Sequence, residues 1–466
     1  MVEETKTKTA TATARLPIEE QALDHVWIHT QRWLDLADRD GLRVIVRGTG
    51  CTLTDAQGRA YLDGLAGLYV VNVGHGRAEI GDAMAAQARD LAYVASTSYT
   101  NLRAVQLADV LAGMTPGDLH RFFFCSGGSE AVESAVKIAK QVQVMRGFPK
   151  RYKVIARRGG YHGATYGAMS LTSARNEQYF GPFMYGVSFV PSPDRYRNAF
   201  GLDGEAGDLR CAEAVEQEIL AQGPDFVAAV IGEPISAANN THVPSPRYWH
   251  RMREICDKYG VLLIVDEVIT GFGRTGKMFG SEHFGVRPDL MTIAKGLSSG
   301  YAPIAAVAVS SRVFDEFKQK DVGLAHLLTF GGQAVACAAA LKNIEILQRE
   351  HLAERSAQQG EYLLKQLNGL RRHPTVGDVR GLGLLCAVEL VQNKATKEPF
   401  GWGPAAAQHP FSRRVTELMT ERGLLARVFM SIQIAPPLII SREEIDRMVT
   451  IIDESLTIAD REFGMA

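Results

Sequence analysis

The sequence predicts an α/β fold, in which a large domain holds a mostly parallel seven-stranded sheet and a smaller α+β domain lies beside it. From about residue 76 to residue 345, short apolar runs of strand length alternate with helix-like stretches. Such alternation is typical of a parallel sheet covered by helices on both faces. After about residue 345 this alternation of strands and helices ends. The length of 466 residues allows roughly two or three domains. The candidate strands are Arg121–Cys125, Lys153–Ala156, Val187–Val190, Val227–Ile231, Val261–Asp266, Leu290–Ile293 and Ala305–Val309.

We expect four parts along the chain. Residues 1–15 are rich in threonine and lack the apolar stretch of a secretion signal, so they are predicted to be a disordered tail. Residues 16–75 are predicted to join the small domain. Residues 76–345 then form the large domain, and residues 346–466 form the C-terminal small domain.

The N-terminal segment is predicted to contain one helix and two strands. The helix spans Asp24–Arg39, and a turn at Asp55–Gly58 joins the strands Val44–Thr54 and Arg59–Asp63.

Helices are predicted between the strands and in the C-terminal part. A strand pair is expected within Val376–Leu390, and the segment Gln392–Gln408 is expected to be irregular because proline and glycine are crowded in it. The candidate helices are Ser129–Gln143, Arg247–Tyr259, Gln333–Arg349, Glu354–Gly369, Phe411–Arg422 and Glu443–Glu462.

Charge and composition disfavour several classes of protein. The formal net charge of −1 argues against nucleic acid as the main partner, since phosphate binding favours a basic chain. No apolar run approaches the roughly 18 residues that indicate a membrane span. The six cysteines are far apart and form no CxxC pair. A disulfide framework or a zinc site is therefore not expected, and a reducing cytoplasm fits best.

The most informative functional signal is the pair formed by Asp266 and Lys295. The apolar run Val261–Val265 ends in Asp266 and Glu267, and ligands of open α/β sheets bind at the carboxyl ends of strands. Lys295 lies between apolar flanks, where a lysine loses its proton more easily and becomes a nucleophile. Pyridoxal phosphate chemistry requires these two groups, a lysine that forms an imine and an acid that faces the ring nitrogen. A surface lysine and a helix-capping acid are the alternative interpretations.

Three further motifs could complete such a site. The segment Cys125–Glu133 follows a strand and opens a helix, so its small residues could expose backbone N–H groups to a phosphate. Tyr161, on the loop after the next strand, could stack on a planar cofactor or simply cap the core. Thr329 precedes another helix and could offer a hydroxyl to a phosphate.

One motif suggests a different chemistry. Gly271–Lys277 nearly matches the nucleotide-binding loop G-x-x-x-x-G-K-[ST]. Met278 replaces the hydroxyl that would hold magnesium, and the acidic strand end lies directly before the loop. We therefore reject the NTPase interpretation.

Together these motifs resemble the class III (omega) aminotransferases, from about Trp27 to the end of the chain. This resemblance implies a fold-type I pyridoxal 5'-phosphate enzyme that works as a homodimer with its sites at the subunit interface. The motifs that carry it are Val265–Arg274, Pro288–Gly296, Tyr161–Gly163, Glu233-Pro234, Thr329–Gly332, Leu53–Asp63 and Asp378–Gly383.

The resemblance also implies roles for single residues. Lys295 would form the Schiff base with the cofactor, and Asp266 would pair with its pyridinium nitrogen. Val268 would pack on one face of the ring and Tyr161 would stack on the other. Glu233 would lie in the polar network on the phenolic side of the cofactor.

The phosphate site is implied in the same way. Gly127, Gly128 and Ser129 would hold the phosphate, and Thr329 would reach it from the partner subunit. The turn reads Ser-Gly-Gly-Ser-Glu where the family usually has Ser-Gly-Ser-Glu, so the sequence leaves the individual phosphate donors open.

The implied reaction is a ping-pong transfer of an amino group from an amine or ω-amino acid to a keto acid, with pyruvate as the expected acceptor. Arg427 resembles the arginine that binds carboxylates in pyruvate-using relatives, and Tyr69 stands where many amine-converting relatives carry tryptophan. Substrate choice is expected around Tyr69, Ala237–Asn240 and Arg427. β-Alanine, taurine, diamines and arylalkylamines stay open as donors. An aminomutase or decarboxylase of the same fold and a non-catalytic relative are the alternatives.

Overall fold

The computed structural model describes residues 15–37, 42–173, 177–238 and 240–465. Almost all of the predicted tail 1–15, and the end of the predicted helix Asp24–Arg39, lie outside these ranges.

The strands and helices are numbered here in chain order. The strands are β1 (Ile45–Thr49), β2 (Thr52–Asp55), β3 (Ala60–Asp63), β4 (Leu119–Cys125), β5 (Lys153–Arg157), β6 (Val187–Val190), β7 (Val227–Gly232), β8 (Leu262–Asp266), β9 (Leu290–Ile293), β10 (Ala305–Ser310), β11 (Val376–Gly381), β12 (Cys386–Asn393), β13 (Glu398–Pro399), β14 (Leu424–Leu425), β15 (Arg427–Val428) and β16 (Ser431–Ile434). The helices are α1 (Pro17–His25), α2 (Trp33–Ala37), α3 (Ala66–Tyr69), α4 (Ala78–Asp90), α5 (Leu102–Ala112), α6 (Gly128–Met145), α7 (Tyr166–Leu171), α8 (Glu177–Phe180), α9 (Gly204–Gln222), α10 (Pro246–Tyr259), α11 (Ser311–Lys320), α12 (Ala334–Arg349), α13 (Leu352–Asn368), α14 (Pro404–Gln408), α15 (Pro410–Glu421) and α16 (Arg442–Glu462). Short 3-10 helices lie at Pro224–Phe226, Gly280–His283, Lys295–Leu297 and Gly369–Arg372.

A seven-stranded, mostly parallel sheet forms the centre of the fold, as predicted. Its strand order is β4-β10-β9-β8-β7-β5-β6. Strand β10 is antiparallel to both of its neighbours, and the other neighbouring pairs are parallel. Each of the seven predicted strands is confirmed to within two residues at either end.

Strand β8 illustrates why these strands are continuous apolar runs. Leu262 and Ile264 pack into a hydrophobic cluster with α6 on one face of the sheet. Leu263 and Val265 pack into a second cluster with α10 on the other face. Because both faces are covered, every position of the strand is apolar until the strand reaches the sheet edge.

The carboxyl ends of the parallel strands bring the candidate residues to one edge of the sheet. Arg157 ends β5, Glu233 follows β7, and Asp266 ends β8. Lys295 lies two residues after β9. The first turn of α6, which follows β4, opens at the same edge, and open α/β sheets bind ligands there.

The N-terminal and C-terminal parts of the chain share a sheet. Strand β14 pairs in parallel with β3 in the order β1-β2-β3-β14. The C-terminal part also contains the sheet β11-β12-β16-β15, with β13 paired to β12. The predicted strand pair within Val376–Leu390 is confirmed as β11 and β12. The pairing of β14 with β3 supports the expectation that residues 16–75 join the small domain, whose boundaries stay a prediction.

The predicted helix Asp24–Arg39 is wrong. Val26 is extended, with φ −109° and ψ 117°, and Thr30 has a φ of 62°. Helical structure resumes only at α2. Trp27 is 91% exposed and Trp33 is also exposed, so these two tryptophans do not form a buried apolar face of the kind that stabilises most protein helices.

Two smaller predictions also need correction. The strand expected at Val44–Thr54 is divided into β1 and β2 by a turn at Gly50, whose φ is 58°. The segment Gln392–Gln408 is not irregular throughout, since it contains β13 and α14. The turn predicted at Asp55–Gly58 is confirmed, because Gly58 N donates to Asp55 O at 3.0 Å.

The six cysteines are all buried and free, and a buried free cysteine behaves as a small core residue. None of the described helices is both long and apolar enough to cross a membrane.

Candidate active site

Lys295 lies on a tightly constrained turn. It opens a 3-10 helix with a φ of 46°, a backbone conformation that is costly for a residue other than glycine. A Cβ atom on Gly296 would lie 2.4 Å from Asn72 Nδ2, so the close approach of this backbone requires glycine. Asn343 Nδ2 donates to the carbonyl oxygens of Gly296 at 2.8 Å and Leu297 at 2.9 Å. These contacts hold Lys295 in place.

The surroundings of Lys295 favour its neutral amine. Burial lowers the pKa of Lys295 to about 8, the charge of Asp266 opposes this change, and the charge of Arg427 adds to it. The Nζ atom lies 5.6 Å from the centroid of the Tyr69 ring. A lysine with this pKa can act both as a nucleophile and as a general base near neutral pH. The alternative of an ordinary surface lysine is wrong.

Asp266 is a buried carboxylate with fixed orientation. Its Oδ2 lies 2.7 Å from His162 Nδ1. Its Oδ1 accepts hydrogen bonds from Thr292 Oγ1 at 3.0 Å and from Val268 N at 3.1 Å. The alternative interpretation, that Asp266 caps a helix, is wrong, because the next helical turn after β8 in the described residues begins at Gly280.

His162 was missed as a site residue, although it lies in the Tyr161–Gly163 motif. It is buried, and its Nε2 lies 3.9 Å from Glu233 Oε2 and has no hydrogen-bond partner in the described part of the chain. Burial alone would lower the pKa of His162, but Glu233 and Asp266 outweigh burial and raise it. The sequence offers no sign that this histidine faces an acid 104 residues away.

Glu233 holds the loop that carries Tyr161. Its carboxylate accepts from Arg157 at 2.7 Å and from the backbone N of Tyr161 at 3.1 Å. Burial would raise the pKa of Glu233, but His162 and Arg157 lower it to about 2. Tyr161 is 44% exposed, so the interpretation of this tyrosine as a core cap is wrong.

The Ser-Gly-Gly-Ser turn is the N-terminus of α6. Gly127 is the N-cap and Gly128 is the first helical residue. A Cβ on Gly127 would meet nothing within 4 Å, whereas a Cβ on Gly128 would lie 3.0 Å from Val268 Cγ1. The Ser129 hydroxyl accepts a hydrogen bond from Ala164 N at 3.0 Å, which leaves its own hydrogen free to donate.

The three remaining predicted residues differ in burial. Tyr69 is buried, and its hydroxyl donates to Gln433 Oε1 at 2.6 Å. Arg427 is exposed at β15, with its guanidinium 4.1 Å from the centroid of the Phe429 ring. Thr329 lies on an exposed turn just before α12.

The rejection of a nucleotide-binding loop at Gly271–Lys277 is supported by its burial. Arg274 is buried and donates to Asn72 Oδ1 at 2.7 Å and to the carbonyl oxygen of Leu384 at 3.0 Å. Glu267, the second acid of the pair, accepts from Gly280 N, Ser281 N and Thr270 Oγ1. This segment is therefore structural.

Comparison with known proteins agrees with this geometry. Residues 36–456 match the family model Aminotransferase class-III. The chain is 39% identical to a taurine–pyruvate aminotransferase of Bilophila wadsworthia over 95% of this chain and 98% of the relative. It is 38% identical to a putrescine–pyruvate aminotransferase of Pseudomonas aeruginosa over 88% of this chain and 90% of the relative.

A solved structure is similar over nearly the whole chain. An (S)-enantioselective omega-transaminase from Thermomicrobium roseum superimposes with a TM-score of 0.90 at 39% identity, over 95% of this chain and 98% of the other. The chain therefore belongs to the class III aminotransferases, pyridoxal phosphate-dependent enzymes that transfer an amino group from an amine donor to a keto acid by a ping-pong mechanism.

Proposed function

We propose that this aminotransferase passes the amino group of an amine or ω-amino acid to pyruvate, with Lys295 as the covalent anchor of the cofactor. The observation that carries the proposal is the placement of Lys295, with its pKa of about 8, at the same sheet edge as the fixed carboxylate of Asp266. Pyruvate is the acceptor in the names of both relatives. The amine donors of these two relatives differ, taurine for one and putrescine for the other.

The described residues fit pyridoxal phosphate. The open space at Gly127, beside the N-terminus of α6, suits a phosphate, because the free N–H groups there carry partial positive charge. We assign phosphate binding to Gly127, Gly128 and Ser129, and the partner subunit's Thr329 would complete it.

The remaining contacts would hold the cofactor ring. We assign the ring nitrogen to Asp266, the two ring faces to Val268 and Tyr161, and the phenolic side to Glu233. When bound, the cofactor supplies an electron sink that stabilises negative charge on the donor carbon.

The chain's own residues supply the proton transfers. The neutral Nζ of Lys295 removes the proton from the amine-bearing carbon of the donor. In the second half-reaction the same atom returns a proton to C2 of the acceptor. Thr292, Val268 and His162 hold the two oxygens of Asp266, which fixes the carboxylate for contact with the ring nitrogen. Arg427 would bind the carboxylate of pyruvate.

We also propose a homodimer in which Thr329 acts in the partner's site. Large apolar side chains near Thr329 are exposed, including Leu327 and Phe330, and Tyr99 and Leu102 are exposed as well. Such exposure is typical of a surface that a second copy covers. The free, buried cysteines support a reducing, cytoplasmic location.

A mixing experiment tests the shared site. Lys295→Ala and Thr329→Ala subunits, each with little activity alone, are combined so that mixed dimers form. If Thr329 acts across the interface, one site of each mixed dimer has an intact Lys295 and an intact Thr329, and activity returns. No recovery from demonstrated mixed dimers would contradict the shared site.

The proposed reaction is tested with pyruvate and a panel of donors: β-alanine, taurine, 1,4-diaminobutane and 1-phenylethylamine. Formation of alanine from at least one donor is expected. If carbon dioxide is released, or if the amino group moves within one molecule and no keto product appears, the decarboxylase or aminomutase alternative is correct.

A further inference from the structure

We propose that Gln433 is a positioning residue that sets the donor specificity of this enzyme, in favour of short ω-amino acids with an anionic end. The proposal rests on the proposed function and concerns the side of the site next to Lys295 where Tyr69 and Arg427 lie.

Gln433 joins the three segments around which substrate choice is expected. Its Oε1 accepts the hydrogen bond from the Tyr69 hydroxyl at 2.6 Å, and its Nε2 lies 3.5 Å from the carbonyl oxygen of Ala238. Arg427 is its direct neighbour on the adjacent strand. Gln433 and Tyr69 are both buried, so this hydrogen bond is shielded from water and costly to break.

This contact helps to restrain the turn that carries Tyr69. Ala66, Gly67 and Tyr69 have φ values of 47°, 66° and 60°, and the two residues with side chains are strained there. At the start of the turn, Gly67 N donates to the Asp63 carboxylate at 2.8 Å. At its end, the Tyr69 hydroxyl donates to Gln433, and the backbone N of Tyr69 donates to Leu65 O at 2.8 Å. Gln433 therefore keeps the Tyr69 ring 5.6 Å from Lys295 Nζ.

A fixed Tyr69 ring narrows the space beside Arg427. Burial raises the pKa of Tyr69, while the charge of Arg427 opposes this change, so the hydroxyl stays neutral and its hydrogen is given to Gln433. The ring then acts as a rigid apolar wall. A slim methylene chain can pass along such a wall, whereas an aryl group needs the ring to move.

Arg427 selects the charge of the group at the far end of the donor's methylene chain. Within the ranges that the structure describes, its guanidinium stacks on Phe429 and forms neither an ion pair nor a hydrogen bond. An unpaired guanidinium attracts a carboxylate or sulfonate and repels the second ammonium of a diamine. The Tyr69 ring and the Arg427 guanidinium together fit β-alanine or taurine better than 1,4-diaminobutane or 1-phenylethylamine.

Two variants remove the same hydrogen bond from opposite sides. Gln433→Leu keeps the size of the side chain and removes the amide, and Tyr69→Phe removes only the hydroxyl. In both, we expect kcat/KM for β-alanine to fall about tenfold and that for 1-phenylethylamine to rise, since one buried hydrogen bond is worth roughly this factor. The double variant should resemble either single variant, because both changes remove one interaction.

The control is Gln392→Leu, the same substitution at an exposed glutamine of β12, which should leave the donor ratio unchanged. The thermal midpoint and the absorption of the bound cofactor are measured for every variant. A merely structural role for Gln433 would lower kcat/KM for all donors equally and leave their ratio unchanged.

The outcomes separate this proposal from the proposed function. If the wild-type enzyme forms no alanine from pyruvate with any donor, the proposed function fails. If it does form alanine but prefers the diamine or the arylalkylamine, or if both variants keep the wild-type donor ratio within about twofold, the role of Gln433 is wrong while the proposed function stands.

Discussion

His162 Nδ1 lies 2.7 Å from Asp266 Oδ2, and both side chains are buried at the carboxyl edge of the central sheet. The pKa of His162 is raised, since Glu233 and Asp266 outweigh the effect of burial. A raised pKa favours the protonated imidazole, which attracts a neighbouring carboxylate. The arrangement suits an acid that must stay ionised opposite a cofactor ring nitrogen.

We expect the neighbouring acids Asp266 and Glu267 to respond differently to substitution. Asp266→Asn should lower kcat on the order of 100-fold, because it removes a charge that acts on the reaction. Glu267→Gln should instead lower the free energy of unfolding by about 1–3 kcal/mol, since Glu267 accepts three buried hydrogen bonds. Steady-state kinetics and thermal unfolding of both variants check this. The opposite pattern would exchange the two roles.

Replacement of Lys295 should remove both turnover and the covalent link to the cofactor. Lys295→Ala is expected to lack the visible absorption band of the lysine-bound cofactor and to form no alanine. The control is Lys277→Ala, at an exposed lysine, which should keep both properties. If Lys295→Ala retained the band and the activity, another lysine would be the anchor.

Capture of the cofactor by the apoenzyme should depend on pH. Lys295 is protonated below its pKa of about 8 and neutral above it, and only the neutral amine attacks a carbonyl. The rate of cofactor binding, followed by absorbance, should therefore rise about tenfold per pH unit well below pH 8 and level off above it. Arg427→Ala should move the midpoint to higher pH, because the charge of Arg427 lowers this pKa. An unchanged midpoint would contradict that coupling.

We expect Arg427 to bind the carboxylate of the acceptor pyruvate. Arg427→Ala is expected to raise the KM for pyruvate by about 10–100-fold, the range for a lost charged hydrogen bond. Arg210→Ala, at an exposed arginine of α9, is the matched control. Steady-state kinetics with pyruvate as the varied substrate measure this KM. An unchanged KM would mean that a different group binds the carboxylate.

The two glycines at the start of α6 offer a test of the phosphate site. Gly127→Ala should leave the thermal stability of the apoenzyme unchanged, since its Cβ meets no protein atom within 4 Å, yet weaken cofactor binding if the phosphate occupies that space. Gly128→Ala should lower the stability of the apoenzyme as well, because its Cβ would lie 3.0 Å from Val268. Equal cofactor affinity of Gly127→Ala and wild type would place the phosphate elsewhere.

Much of the fold could be predicted because buried parallel strands leave a local signal. The run Val261–Asp266 is apolar at each position before its acid, since both faces of β8 are covered. The helix expected at Asp24–Arg39 failed for the complementary reason. Its tryptophans are exposed, and a helix without a packed apolar face has little to stabilise it.

The sequence by itself determined the chemistry, since Asp266 and Lys295 each lie within a recognisable local pattern. Only the tertiary structure decided which side chains lie next to these groups and around the site. It placed His162 between Asp266 and Glu233, and it linked Tyr69 to Gln433, 364 residues further along the chain. Contacts between residues so far apart leave no periodicity or spacing in the sequence, because they depend on how strands and loops pack together in three dimensions.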